Sequence, residues 1–175
     1  VCLAFLCSQQ LNGAEQQPLE VTIAKTTGLI AVDGDGIRDE LHVIVTNRSD
    51  SEIRISDQWT SSGYQNVTLS VDAGKGAHQL KRCGGEVWIS DSRVDVTLLP
   101  GEHYVYRIRL CSNCGDGAIS NSWGPLSVKQ GEYPWIVLKA RYVGGFDING
   151  KSTGEIDSKP VRIRLQGGQP QAFPK

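Results

Sequence analysis

The chain of 175 residues holds no methionine, only three histidines, and twelve aromatic side chains, about 7% of the total. It carries no excess of charge: 18 Lys and Arg stand against 19 Asp and Glu, for a net charge of −1. A nucleic-acid binder working through a basic field is therefore not expected. No apolar run approaches the ~18 residues that a membrane-spanning helix needs, so no transmembrane segment is expected. Catalytic signatures are missing too. There is no Gly-x-Ser-x-Gly elbow, no phosphate-binding glycine loop and no His-Glu-x-x-His. His42, His78 and His103 lie in no recognisable nucleophile or metal motif, so no catalytic residue is assigned and an enzyme is not expected. What is present suffices for a core. Hydrophobic residues make up 39% and charged residues 21%, the balance of one globular domain rather than a disordered chain.

The opening Val1-Cys2-Leu3-Ala4-Phe5-Leu6-Cys7 is apolar and gives way to polar residues up to Ala14. Apolar core, polar region and small residue read as the remnant of a signal peptide spanning residues 1–14, cleaved after Ala14. The missing initiator methionine fits a processed form or a fragment. Leu6 before Cys7 suits lipidation poorly. A plain first strand or tail is the alternative. On the signal reading the mature domain, residues 15–175 with a short tail at 166–175, is secreted or periplasmic and meets an oxidising compartment.

From Leu19 onward the pattern is alternation of period two. It runs through 19–25, 40–47, 52–59, 67–72, 94–98, 104–110, 135–142 and 161–165, rich in β-branched and aromatic residues. Turn chemistry separates these runs. Pro100-Gly101 suits a type II turn and Asn149-Gly150 a two-residue hairpin turn. Residues 113–130 read as a long loop, with room for a helical turn at Leu126-Ser127-Val128. Eight or nine short strands without a long helix predict an all-β fold, an antiparallel β-sandwich.

Gly131-Glu132-Tyr133-Pro134-Trp135 sharpens this. Tyr133 resembles the corner tyrosine of immunoglobulin domains, with Trp135 where the second disulfide cysteine would stand; an ordinary strand-edge aromatic is the alternative. With the order Leu41 to Ser49, Val94 to Glu102 and Ser158 to Ile163, the chain resembles the immunoglobulin-like β-sandwich domains of exported bacterial proteins. It is more weakly similar to the intracellular proteinase inhibitor family. The resemblance spans roughly Leu19 to Leu165. It implies a non-catalytic binding or structural accessory domain with a protein or cell-surface ligand. The second similarity implies a proteinase inhibitor presenting a loop.

Three features carry possible sites. Asp33-Gly34-Asp35-Gly36-Ile37-Arg38-Asp39 places carboxylates and glycines as calcium loops do. Asp33, Asp35 and Asp39 would give side-chain oxygens and Ile37 a carbonyl to Ca²⁺. A plain Asp-Gly turn is the alternative. Cys83, Cys111 and Cys114 allow a disulfide from Cys83 to either of the others, a local bridge between Cys111 and Cys114, a zinc site completed by a histidine, or thiols. Trp123, beside Gly124-Pro125 in the long loop, is the tryptophan most expected to be exposed, where it would anchor a partner or a sugar ring; simple packing within the loop is the alternative. The Asn47 and Asn66 sequons matter only if the source glycosylates exported chains.

Overall fold

The computed structural model describes residues 17–25, 29–33, 36–60, 63–83, 94–111, 122–126 and 135–167. Residues 1–14, Tyr133, Cys114 and the tail from 168 lie outside them. Thirteen strands and no helix occur among the described residues. They are β1 (Leu19–Lys25), β2 (Leu29–Asp33), β3 (Gly36–Asn47), β4 (Ile53–Ser56), β5 (Val67–Asp72), β6 (Ala77–Cys83) and β7 (Asp95–Leu98). Then follow β8 (His103–Cys111), β9 (Ser122–Gly124), β10 (Trp135–Val143), β11 (Phe146–Asp147), β12 (Glu155–Asp157) and β13 (Val161–Gly167). The all-β class therefore holds.

The strand count and the purely antiparallel arrangement do not. β2 runs parallel to β13 and β9 runs parallel to β8, so the larger sheet is mixed. Following its pairings from β3 through β2, β13, β10, β5, β6, β9 and β8 returns to β3, a nearly closed barrel-like circuit. β1 flanks β3 and β12 flanks β10, while β11, β4 and β7 form a separate three-stranded sheet. The strands missed by the sequence pattern have a common physical cause. β9, β11 and β12 are two or three residues long, too short for a period to show. β2 is a continuous apolar run, Leu29 to Val32, as strands in parallel pairings tend to be.

β3 organises the circuit. β8 lies along one edge, while β1 and then β2 lie end to end along the other. Lys25 pairs with Leu41 and Val32 with Ile37, so the β1–β2 side carries three residues more than β3 between those points. β1 and β2 are both antiparallel to β3, and β2 is parallel to β13, so β1 points the same way as β13.

Alternation puts one face of each strand inside. Leu41, Val43 and Val45 of β3, Tyr106, Ile108 and Leu110 of β8, and Ile136, Leu138, Ala140 and Tyr142 of β10 are all buried. Val67, Leu69 and Val71 of β5 and Ile163 of β13 join the same core. Each such aliphatic side chain contributes roughly 1.5–3 kcal/mol relative to exposure. Pro100-Gly101 makes the expected turn: Glu102 N donates to the carbonyl of Leu99 at 2.9 Å with Gly101 at φ +83°. Asn149-Gly150 does not form a two-residue turn. Asp147 N bonds to the Lys151 carbonyl at 2.9 Å, so residues 148–150 make a three-residue loop. Asp147 Oδ1 accepts the amides of Asn149 and Lys151 and holds it.

Candidate functional site

Of the expected calcium residues, three are placed in strands. Asp33 ends β2 and pairs with Gly36, while Ile37 and Asp39 are residues of β3. Asp35 lies outside the described residues. Extended backbone advances about 3.3 Å per residue, so the stretch expected to curl around calcium from residue 36 onward is strand, not loop. Cys83 ends β6 and Cys111 ends β8, and their sulphurs stand 3.1 Å apart. That is a contact; a disulfide bond is about 2.05 Å long. Of the two bridges expected for Cys83, the one to Cys114 involves a residue outside those described and the one to Cys111 is not formed, which leaves Cys111 a thiol. Burial pushes its pKa up.

Trp123 is the clearest correction. It sits in β9 between β6 and β8, opposite Arg82 and Leu110, and is only 5% exposed. The bulky indole fills the circuit wall rather than projecting from a loop. It cannot anchor a partner.

A different tryptophan is open. Trp135 begins β10 with 38% of its surface exposed, and Val137, two residues on and on the same face, is 37% exposed. The neighbouring strand supplies the rest. Arg164 of β13 lies directly opposite Trp135, and Arg162 lies opposite Val137. Both guanidiniums cover the indole, with Cζ at 4.7 Å from the ring centroid for Arg162 and 5.8 Å for Arg164. A cation over an indole at an exposed site gains about 0.5–1 kcal/mol. More important is what stacking leaves open. A guanidinium held over a ring face keeps in-plane N–H donors for another partner, and planar donors of that kind recognise oxyanions. Neither Arg162 nor Arg164 meets a carboxylate among the described residues.

The next rungs of the same outer face are neutralised. Lys139 Nζ lies 2.5 Å from Asp157 Oδ2, and Arg141 donates to Asp157 Oδ1 at 2.8 Å and Glu155 Oε2 at 3.1 Å. Hydrogen bonds from Arg141 first, and then from Lys139, hold the Asp157 carboxyl down at about 2. So the face carries a basic–aromatic cluster at one end and an ion-pair ladder at the other. Sequence alternation already placed Trp135, Val137, Lys139 and Arg141 on one face. Which strand stands beside them, and hence the arginine pair, required the register.

The interior holds a second cluster. Tyr104 and Tyr106 meet edge to face with centroids 4.8 Å apart, and Tyr106 lies 6.1 Å from Tyr142. Burial raises all three phenols, Tyr142 to about 12. Tyr106 and Tyr142 are 3% and 0% exposed, so these hydroxyls are core groups that stay protonated. Above them, the turn that follows β4 needs Gly63: a Cβ there would stand 1.9 Å from the Asp57 carbonyl oxygen. The histidines do not converge with them. His78 is on β6, while His42 and His103 on β3 and β8 are four register steps, roughly 13 Å, apart.

No protein-family model matches the chain, and no curated protein matches it. Among solved structures it is similar to one from Bordetella pertussis bearing the name ApaA. The two share 14% identity over 89% of this chain and 98% of that one, with a TM-score of 0.47. It is also similar to the structural-genomics target SoR45, with 9% identity over 89% of this chain and 90% of that one and a TM-score of 0.41.

Proposed function

We propose that this chain is a non-catalytic binding domain of an exported protein, and that its contact surface is the outer face of β10 and β13 around Trp135. The finer architectural reading, an immunoglobulin-like domain, belongs to the same proposal. Alternating strands support it and the two parallel pairings weigh against it. The observation that carries the functional reading is the exposed Trp135 under two guanidiniums that meet no carboxylate among the described residues.

The ligand is an acidic polysaccharide of a cell surface. Two guanidiniums next to a neutralised ladder suit sparse charge, one carboxylate or sulfate per sugar. They suit poorly the dense phosphates of nucleic acid, one charge per ~1.7 Å of duplex axis. The open edge of the indole and Val137 offer apolar surface to the C–H faces of a sugar ring.

Affinity electrophoresis tests this. Migration is measured through gels holding polygalacturonate, alginate, heparin or neutral dextran. Retardation is expected in at least one acidic gel and not in dextran, and Trp135→Ala should abolish it. Equal mobility in all four gels would refute the reading.

A further inference from the structure

We propose that Asn149 is a deamidation site gated by its own hairpin loop: the closed loop keeps the residue intact, and each opening exposes it to conversion into isoaspartate. This does not rest on the reading of Trp135. Asn149-Gly150 lies between β11 and Ser152, which bridges back to Phe146. The chemistry is that of the residue pair. Gly150 N gives up its proton to solvent base and attacks Asn149 Cγ. The Cγ–Nδ2 bond breaks, and the nitrogen takes up a proton and leaves as ammonia. A five-membered succinimide remains. Water then opens either ring carbonyl, to aspartate or to isoaspartate, in which the main chain runs through Cγ. Glycine as the following residue has no Cβ to crowd the attack. Asn149 and Gly150 are both exposed, so base and water reach them.

The closed loop withholds the nucleophile. Gly150 N donates to the Asp147 carbonyl at 2.9 Å, so its proton is engaged. Asp147 N donates to the Lys151 carbonyl at 2.9 Å, and Gly150 stands at φ +79°. These bonds and this glycine match the three-residue hairpin loop built from a type I turn and a left-handed residue. Such a turn holds its third residue, here Asn149, at ψ of ~0°. Gly150 N then eclipses Asn149 N and stands about a third of a turn away from Asn149 Cβ, so the ring cannot close. The Asp147 carboxylate braces this geometry. Its Oδ1 accepts the amides of Asn149 at 2.9 Å and Lys151 at 2.8 Å, on either side of the reacting nitrogen. Reaction therefore waits for the loop to open. Isoaspartate adds one main-chain atom between two amides held by one oxygen, so the product does not re-form both bonds.

The test incubates the whole chain at mildly alkaline pH, folded and in urea. Peptide mapping reads the gain of one mass unit and the isoaspartate at residue 149. It also separates this pair from Asn12-Gly13, the other Asn-Gly of the sequence. Asn149 should convert about tenfold or more slowly in the folded chain than in urea, from the weight of the hydrogen bonds that must open. Asp147→Ala, melted alongside to show that it folds, should raise the folded rate several-fold. Asp147→Asn, which keeps an accepting oxygen, should not. If Asp147→Ala does not fold, the ratio of folded to urea rates decides without it. Equal rates in the folded and unfolded chain overturn the proposal, as does an unchanged rate in folded Asp147→Ala.

Discussion

Asn47 ends β3, is fully buried, and ties together three stretches of chain. Its Nδ2 donates to the carbonyls of Ser51 at 2.8 Å and Leu98 at 2.9 Å. Its Oδ1 accepts the amide of Ser49 at 2.9 Å and the hydroxyl of Ser49 at 2.7 Å. Its own backbone bonds, to Glu102 and from Gly101, do not depend on the side chain. Asn47→Ala therefore strips the Leu98 carbonyl of a buried donor, at a cost of ~1–3 kcal/mol, and three part-buried bonds at ~0.5 kcal/mol or more each. The expected loss is ~2.5–4.5 kcal/mol. At this chain length that lowers Tm by roughly 5–15 °C. Urea unfolding followed by intrinsic fluorescence should show a lower midpoint with an unchanged slope. Asn47→Asp keeps the acceptor but turns a second oxygen toward two carbonyls, and should cost more than Asn47→Ala. A loss below ~0.5 kcal/mol for Asn47→Ala would refute the reasoning. The same geometry bears on glycosylation: with Nδ2 engaged by two carbonyls, the Asn47 sequon should stay unmodified in the folded chain.

Other consequences can be checked in the same preparation. The Asp157 carboxyl, held down at about 2 from an ordinary 3.8, contributes stability above the ordinary value that is lost as pH falls toward 2. That contribution is small because the group is open to solvent. NMR titration should find the low value, and Arg141→Met should return it toward 3.8; an unchanged titration would contradict the ladder. The Cys111 thiol, raised by burial, should react slowly with iodoacetamide at pH 8 and faster as pH increases. Rapid labelling at pH 7 would show the site to be open. Millimolar Ca²⁺ after EDTA should leave Tm unmoved, because Ile37 and Asp39 are strand residues. A site filled to about 100 times its Kd would add ~2.7 kcal/mol, and a rise of that order lost in Asp35→Ala would restore the calcium loop.

The sequence made the strands legible where alternation was long. β1, β5 and β10 match their expected bounds to within a residue, because each buries every second side chain of a six- to nine-residue run. It left the closure hidden. Closure depends on β2 and β9 entering parallel to β13 and β8, and a short or uniformly apolar strand carries no mark of its neighbour. The candidate site was half legible for the same reason. A tryptophan next to Gly-Pro looks like an exposed loop residue, yet Trp123 is walled in by β6 and β8. Trp135 looks like one more core aromatic, yet its neighbours Ile136 and Leu138 take the inner face and leave it outside. Arg162 and Arg164 gain meaning only from pairing with β10.

The central claim, recognition of an acidic polymer by Trp135 and its two arginines, is tested most directly by equilibrium binding of polygalacturonate. The intact chain is compared with the double variant Arg162→Gln, Arg164→Gln at low and at physiological salt. The account predicts that the intact chain binds and weakens as salt rises, and that the double variant loses most of the affinity together with its salt dependence. Equal binding by the two proteins, or equal affinity of the intact chain for neutral dextran, would contradict it.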